Sequence, residues 1–152
     1  YEIRLAAQAD AETIAEYNRR MAFETERKAL DPATVLRGVE RALGDPAKGY
    51  YLVADAGGDV VGQLMVTYEW SDWRDGWVWW IQSVYVQEDW RRKGVFRSLY
   101  ADLRARANAA GDVIAIRLYV EKDNARAQRT YRDLGMTDLA YLILEAKVNF
   151  PS

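Results

Sequence analysis

From Val84 to Arg97 the chain reads Val-Tyr-Val-Gln-Glu-Asp-Trp-Arg-Arg-Lys-Gly-Val-Phe-Arg. An apolar strand ends, a short basic turn follows, and a helical spacing begins at Gly94. The first amides of a helix have no partner within it and carry the positive end of its dipole. Placed beside Arg91, Arg92 and Lys93, such an end suits an anion. A pyrophosphate would be held by those amides, with Gly94 permitting close backbone approach and the three cations supplying charge. The same pattern also describes a helix that begins after a solvated basic turn, so the segment alone leaves both readings open.

A second pair of residues lies downstream. Asn124 and Tyr131 are seven residues apart in a stretch that ends at Leu134-Gly135. Two helical turns place them within roughly 20° of each other on one face. One ligand could touch both side chains. Each also has an ordinary reading, Asn124 as a helix cap and Tyr131 as a core aromatic.

These residues need a scaffold, and the hydrophobic periods predict one. Glu2 to Leu5 alternates as a strand. Asp10 offers a cap to a helix with Ile14, Tyr17 and Met21 on one face, running to about Phe23. Asp31 as cap, Pro32 at the first position and Gly44 as terminator bound a second helix with the stripe Val35, Leu36, Val39 and Leu43. Tyr50 to Ala54 and Val60 to Glu69 read as a hairpin turned by Gly57 and Gly58, and Trp77 to Val86 as a central strand. Val95, Leu99, Leu103 and Ala107 recur four apart until Gly111, and Val113 to Val120 is again strand. A strand, helix and strand in succession predict a right-handed crossover and a parallel pair. A last helix, capped by Asp123 or Asn124, stops at Gly135, and Leu139 to Val148 closes the chain as strand.

Composition narrows the chemistry. The 152 residues include no Cys and no His, which excludes a thiolate nucleophile, a disulfide, an imidazole base and a Cys- or His-ligated metal. The length suits one domain over residues 1–152, and no metal is expected. The formal charge of -2 gives no general attraction to nucleic acid. Apolar runs are strand length, short of the roughly 20 residues a bilayer needs. Tyr1 to Asp10 lacks the basic-then-apolar profile of a secretion signal, so a cytoplasmic protein without a membrane partner is the expectation.

Arg91, Gly94 and Phe96 resemble the acetyl-CoA signature of the GNAT N-acetyltransferase superfamily: Gln or Arg, two residues, Gly, one residue, then Gly or Ala. Phe96 departs from it, bringing a bulky side chain to the last position. The run from Asn124 through Tyr131 to Leu134-Gly135-Met136 is similar to the second signature. The resemblance covers most of the chain in element order, and residues 77 to 136 specifically. It implies an α/β (α+β) domain with a mixed, mostly antiparallel sheet, one parallel pair that splays to admit acetyl-CoA, and about four flanking helices. It also implies a cofactor contact set of Ser83, Val84, Val86, Arg91, Arg92, Lys93, Gly94, Val95, Phe96, Arg97, Asn124 and Tyr131, with a strand amide polarising the thioester carbonyl.

Without a thiol or imidazole to carry the acetyl group, direct attack by an acceptor amine is the economical mechanism. An alkyl amine has a pKa of about 10.4 and needs a base; Tyr131, at about 10 when unperturbed, can donate to the departing sulfur. Glu24, Glu26 and Glu69 are the candidate bases, and Gln82 could hold a water. The acceptor is expected to be a small-molecule amine, with a protein N-terminus or lysine, or a non-catalytic acetyl-CoA-binding module, as alternatives. Trp77 and Trp79 should share one strand face and Trp80 the other, while Trp70 and Trp73 in the connection could wall a pocket, stack on a cation or join two subunits. A homodimer in which a neighbouring subunit completes the sheet is also open.

Overall fold

The structure, a computed structural model, describes residues 1–149. The chain divides into two compact units, Tyr1–Tyr119 and the residues from Val120 onward. The first holds a five-stranded sheet ordered β1 (Glu2–Leu5), β2 (Tyr50–Ala56), β3 (Asp59–Ser71), β4 (Gly76–Val86) and β5 (Val113–Leu118). The first three pairings are antiparallel and β4 with β5 is parallel. Helices α1 (Ala11–Glu26), α2 (Pro32–Leu43) and α3 (Val95–Ala110) complete this unit. The mixed sheet with one parallel pair is therefore the expected fold class.

Alternation along the strands sorts the side chains onto two faces. Val53, Tyr51 and Tyr85 on one face pack with Ile14, Ala15, Tyr17, Val39 and Ala42 of α1 and α2. On the other, α3 buries Val95, Leu99, Leu103 and Ala107, the four-residue spacing read from the sequence. Gly62 lets α3 approach closely: a Cβ built there would stand 2.6 Å from Cγ1 of Val95. The cap of α2 is the one expected, with the Asp31 carboxylate accepting from the Thr34 amide at 3.0 Å and Pro32 opening the helix.

Several local expectations change. Helix α1 runs a turn past Phe23 to Glu26, where Arg27 takes a left-handed φ of 55°. Glu24 and Glu26 therefore stand on its last turn instead of following it. Asp10 precedes α1 but makes no side-chain cap, because its carboxylate accepts from the Ala7 amide and from Arg4. Trp70 lies within β3, opposite Trp77, and only Trp73 stays in the turn, 94% exposed.

The second unit is described by itself. Helix α4 (Ala125–Asp133) is capped by Asn124, whose Oδ1 accepts from the Ala127 amide at 3.1 Å. It ends in a Schellman motif: the Met136 amide reaches the Tyr131 carbonyl and the Gly135 amide reaches that of Arg132, with Gly135 at φ 95°. Leu139 to Val148 is not a strand, contrary to the sequence expectation. A strand exists only by pairing its amides and carbonyls with a neighbour, and this unit contains no other strand among the described residues. Its apolar side chains stay exposed, Leu144 at 91%.

Candidate functional site

The end of β4 carries the main irregularity of the sheet. Gln63 of β3 faces Tyr85 and Met65 faces Gln82, so two β4 residues, Ser83 and Val84, stand opposite the single residue Leu64. This is a β-bulge, and Ser83 sits in it at a left-handed φ of 53°. On the other side of β4, pairing with β5 ends at Ile81 and Leu118. The backbone from Gln82 to Val86 thus runs on without a β5 partner.

The basic turn follows directly. After a 3-10 turn at Glu88–Trp90, the chain passes through Arg92 (φ 64°) and Gly94 (φ 80°), both left-handed, and enters α3. Alternating handedness of this kind turns successive amides toward one side, as in an anion-binding nest. No side chain caps α3, and the position of a Cβ on Gly94 is open space with no atom within 4 Å. The Tyr1 hydroxyl reaches the Gly94 carbonyl and Ser98 Oγ from the flank.

The three cations separate. Arg91 folds back, donating from Nε to the Val86 carbonyl at 2.9 Å and from its terminal nitrogen to Glu24 at 3.0 Å, with its guanidinium over the Tyr85 ring. Lys93 lies over Trp90. Arg92 and Arg97 are exposed, and Phe96 stacks on Tyr100, which turns its ring along α3.

The candidate carboxylates fall in three places. Glu24 accepts from the Tyr85 hydroxyl at 3.2 Å and from Arg91, beside the bulge. Burial, then the Glu24 charge, pushes the Tyr85 hydroxyl above its ordinary pKa. Glu26 pairs with Lys28 at 3.5 Å at the end of α1. Glu69 faces Val78, five residues before Ser83, or about 17 Å along the strand. It accepts from Trp80 Nε1 at 3.0 Å and approaches Arg117 at 3.7 Å. Trp80 also stacks on Tyr119, with ring centroids 4.5 Å apart.

Trp80 thus takes the α1 face while Trp77 and Trp79 pack with Tyr50 and Tyr68 on the other, as strand alternation requires. Gln82 donates to Thr67 Oγ1 at 2.7 Å on the Trp80 face. A cleft of about 490 Å³, lined by Thr13, Tyr17, Asp59, Gln87 and Trp90 among others, adjoins the start of the basic turn, but none of the candidate residues borders it. In the second unit the Asn124 side chain is used as a cap, and burial raises the Tyr131 hydroxyl above its ordinary pKa.

Sequence reasoning missed Gln63, the only polar residue among the fully buried side chains described. Its Nε2 donates to Asn18 Oδ1 at 2.8 Å and to the Ser83 carbonyl at 3.1 Å. A lone Gln inside the apolar run Val60 to Val66 was the available signal. Gly62 was also missed, although a glycine inside a strand often marks a close backbone approach.

Acetyl-CoA fits what is present. The uncapped, open helix end offers amides to a diphosphate, and the unpaired β4 edge offers backbone donors and acceptors to an extended arm. Among the described residues no group of three or more Asp or Glu is placed to hold a metal, and no helix is long and apolar enough to cross a membrane.

Comparison with known proteins points the same way. Residues 11–136 match the model of the acetyltransferase (GNAT) family. The crystal structure of a possible acetyltransferase from Clostridium difficile 630 is 44% identical, covers 98% of each chain and superposes with a TM-score of 0.91. The ribosomal-protein-alanine N-acetyltransferase from Brucella melitensis biovar Abortus 2308 shares the fold at 18% identity, covering 97% of this chain and 99% of its own, with a TM-score of 0.77. So does an aminoglycoside acetyltransferase from an uncultured soil metagenomic sample, solved with sisomicin, at 16% identity, 98% and 96% coverage and a TM-score of 0.75. No match was found among curated proteins.

Proposed function

The chain belongs to the acetyltransferase (GNAT) family, and on that premise we propose that it transfers an acetyl group from acetyl-CoA directly to a primary amine of a small molecule. The observation that carries this reading is the open helix end at Gly94 beside the unpaired edge of β4. When bound, acetyl-CoA supplies a thioester as acyl donor.

The amides from Arg92 to Arg97, with the charge of Arg92, Lys93 and Arg97, hold the diphosphate. Backbone groups of Ser83, Val84 and Val86 bind the arm, and an amide of the bulge stabilises the charge that develops on the carbonyl oxygen. Arg91, engaged with Glu24 and the Val86 carbonyl, acts by fastening the turn to α1.

Two proton tasks remain. Of the three carboxylates, Glu24 is the one tied by Tyr85 to the neighbourhood of the bulge, and it takes the proton of the acceptor ammonium directly or through a water. Glu69, with the Trp80 and Tyr119 rings, serves acceptor binding instead, since its carboxylate is held by Trp80 and faces Arg117. Tyr131 donates to the departing sulfur. Its raised pKa makes complete transfer to a thiolate of pKa about 8.5 more uphill than for an ordinary Tyr, so its contribution is a strong hydrogen bond.

Calorimetry with coenzyme A, followed by a thiol-release screen of amines that includes polyamines, amino sugars and peptide N-termini, tests the proposal. No heat with coenzyme A would end it. Turnover confined to peptide amines would move the acceptor from a small molecule to a protein.

A further inference from the structure

Ser83 holds a left-handed backbone without being glycine, a conformation that persists only where its surroundings enforce it. The enforcing contact is visible. The Ser83 carbonyl can only accept, and it accepts from Gln63 Nε2. The second hydrogen of that nitrogen is donated to Asn18 on α1, so the side chain is pinned from two sides.

The trans geometry of the peptide carries the consequence outward. The Ser83–Val84 peptide is trans, so the Ser83 carbonyl and the Val84 amide point in opposite directions. Gln63 belongs to β3, which draws the Ser83 carbonyl toward β3. The Val84 amide must then point to the opposite side of β4, the side that β5 has left after Ile81 and Leu118.

Gln63 is also costly where it stands. It is fully buried, and its Oε1 has no hydrogen-bond partner. An apolar side chain of similar size would avoid that loss. Stability alone does not account for a Gln here.

We propose that Gln63, tethered by Asn18, is a positioning residue that fixes the Ser83–Val84 peptide and aims the Val84 amide at the open edge of β4. This rests on the acetyl-transfer reading for its purpose, and on the bulge geometry for its existence. Gln63→Met removes both donors at nearly constant volume; Asn18→Ala removes the tether and leaves the Ser83 contact.

The first measurement needs no ligand. In 15N–1H spectra of the free protein, Gln63→Met should shift or broaden the Val84 and Tyr85 signals while those of Thr67 and Tyr68 hold, and Asn18→Ala should show a smaller version of the same change. Unchanged Val84 and Tyr85 signals in a folded Gln63→Met protein would overturn the proposal. If that variant does not fold, Asn18→Ala decides by the same signals.

The second measurement is kinetic. Misaiming one stabilising donor should lower kcat about 30-fold with KM for acetyl-CoA held within about threefold, somewhat less than outright loss of such a donor. A lower melting temperature with unchanged kcat would make Gln63 merely structural and also refute the assignment. Should the wild type acetylate no amine, the function proposed above fails, while the spectra still decide what Gln63 does to the bulge.

Discussion

Replacing Gly62 with Ala tests how the turn at Gly94 is held on the sheet. The new Cβ would lie 2.6 Å from Cγ1 of Val95 and 3.6 Å from Cδ1 of Leu99. Carbon atoms rest at about 3.5 to 4.0 Å, so relief requires a shift of roughly 1 Å. Val95 cannot swing aside, because a β-branched residue in a helix has essentially one χ1 well and this one is 2% exposed. The first turn of α3 must lift, and its amides with it.

Overpacking of this kind costs about 1 to 3 kcal/mol, offset by about 0.4 to 1 kcal/mol from the stiffer unfolded chain, since Gly62 is not at positive φ. A net loss of up to about 2.6 kcal/mol corresponds to a melting temperature lower by up to about 10 °C. Displaced amides should weaken coenzyme A binding about tenfold, or 1.4 kcal/mol. Calorimetry and thermal melts on Gly62→Ala, Val95→Ala and the double variant measure both effects. Val95→Ala alone should cost about 2 kcal/mol of stability from lost burial. Because it removes the atom that collides, the double variant should recover wild-type affinity and be more stable than the sum of the singles predicts. Strict additivity, or a Gly62→Ala protein with unaltered affinity, would refute the idea that this glycine seats the turn.

Tyr131→Phe should lower kcat by about 10² or more while leaving the coenzyme A dissociation constant within about twofold, measured by thiol release and calorimetry. Glu24→Gln should lower kcat by about 10² or more, whereas Glu69→Gln should raise KM for the amine and largely spare kcat. Asp31→Ala should cost about 1 kcal/mol in denaturant unfolding, since it strips the cap from α2. The guanidinium of Arg4, hydrogen-bonded to Asp10 and Asp55, holds both carboxylates below their usual pKa. Their stabilisation is present above the unfolded carboxylate value of about 3.9 and fades as pH falls through the depressed folded values. Arg4→Met should therefore lower the urea midpoint at pH 7 and flatten its further fall below pH 4.

Local chemistry was legible where it was strong. Asp31-Pro32 and Gly44 bound α2, and Gly135 closes α4, because caps and terminators depend on neighbours within a few residues. The strand and helix periods found β4, α3 and β5 for the same reason, and with them the parallel pair. The bulge was not legible. Ser carries no preference for a left-handed backbone, and the contact that enforces it comes from Gln63, twenty residues away. Arg91 read as a phosphate ligand by type, but its partners Glu24 and Val86 are known only once α1 and β4 meet. Leu139 to Val148 has the composition of a strand, yet strand formation depends on a partner that composition does not reveal.

The stretch from Gln82 to Val86, left unzipped by β5, separates two kinds of heredity. A donor arm lodged against it would be read by peptide groups, which every amino acid supplies alike. The exposed side chain of Gln82 would then be free to drift from one descendant to the next. With Trp80 just upstream it looks toward α1, and the pair could exchange for others as acceptors change, while Tyr85 stays bound to the core and to Glu24. One lineage could in this way collect new amines while its common currency stayed the same.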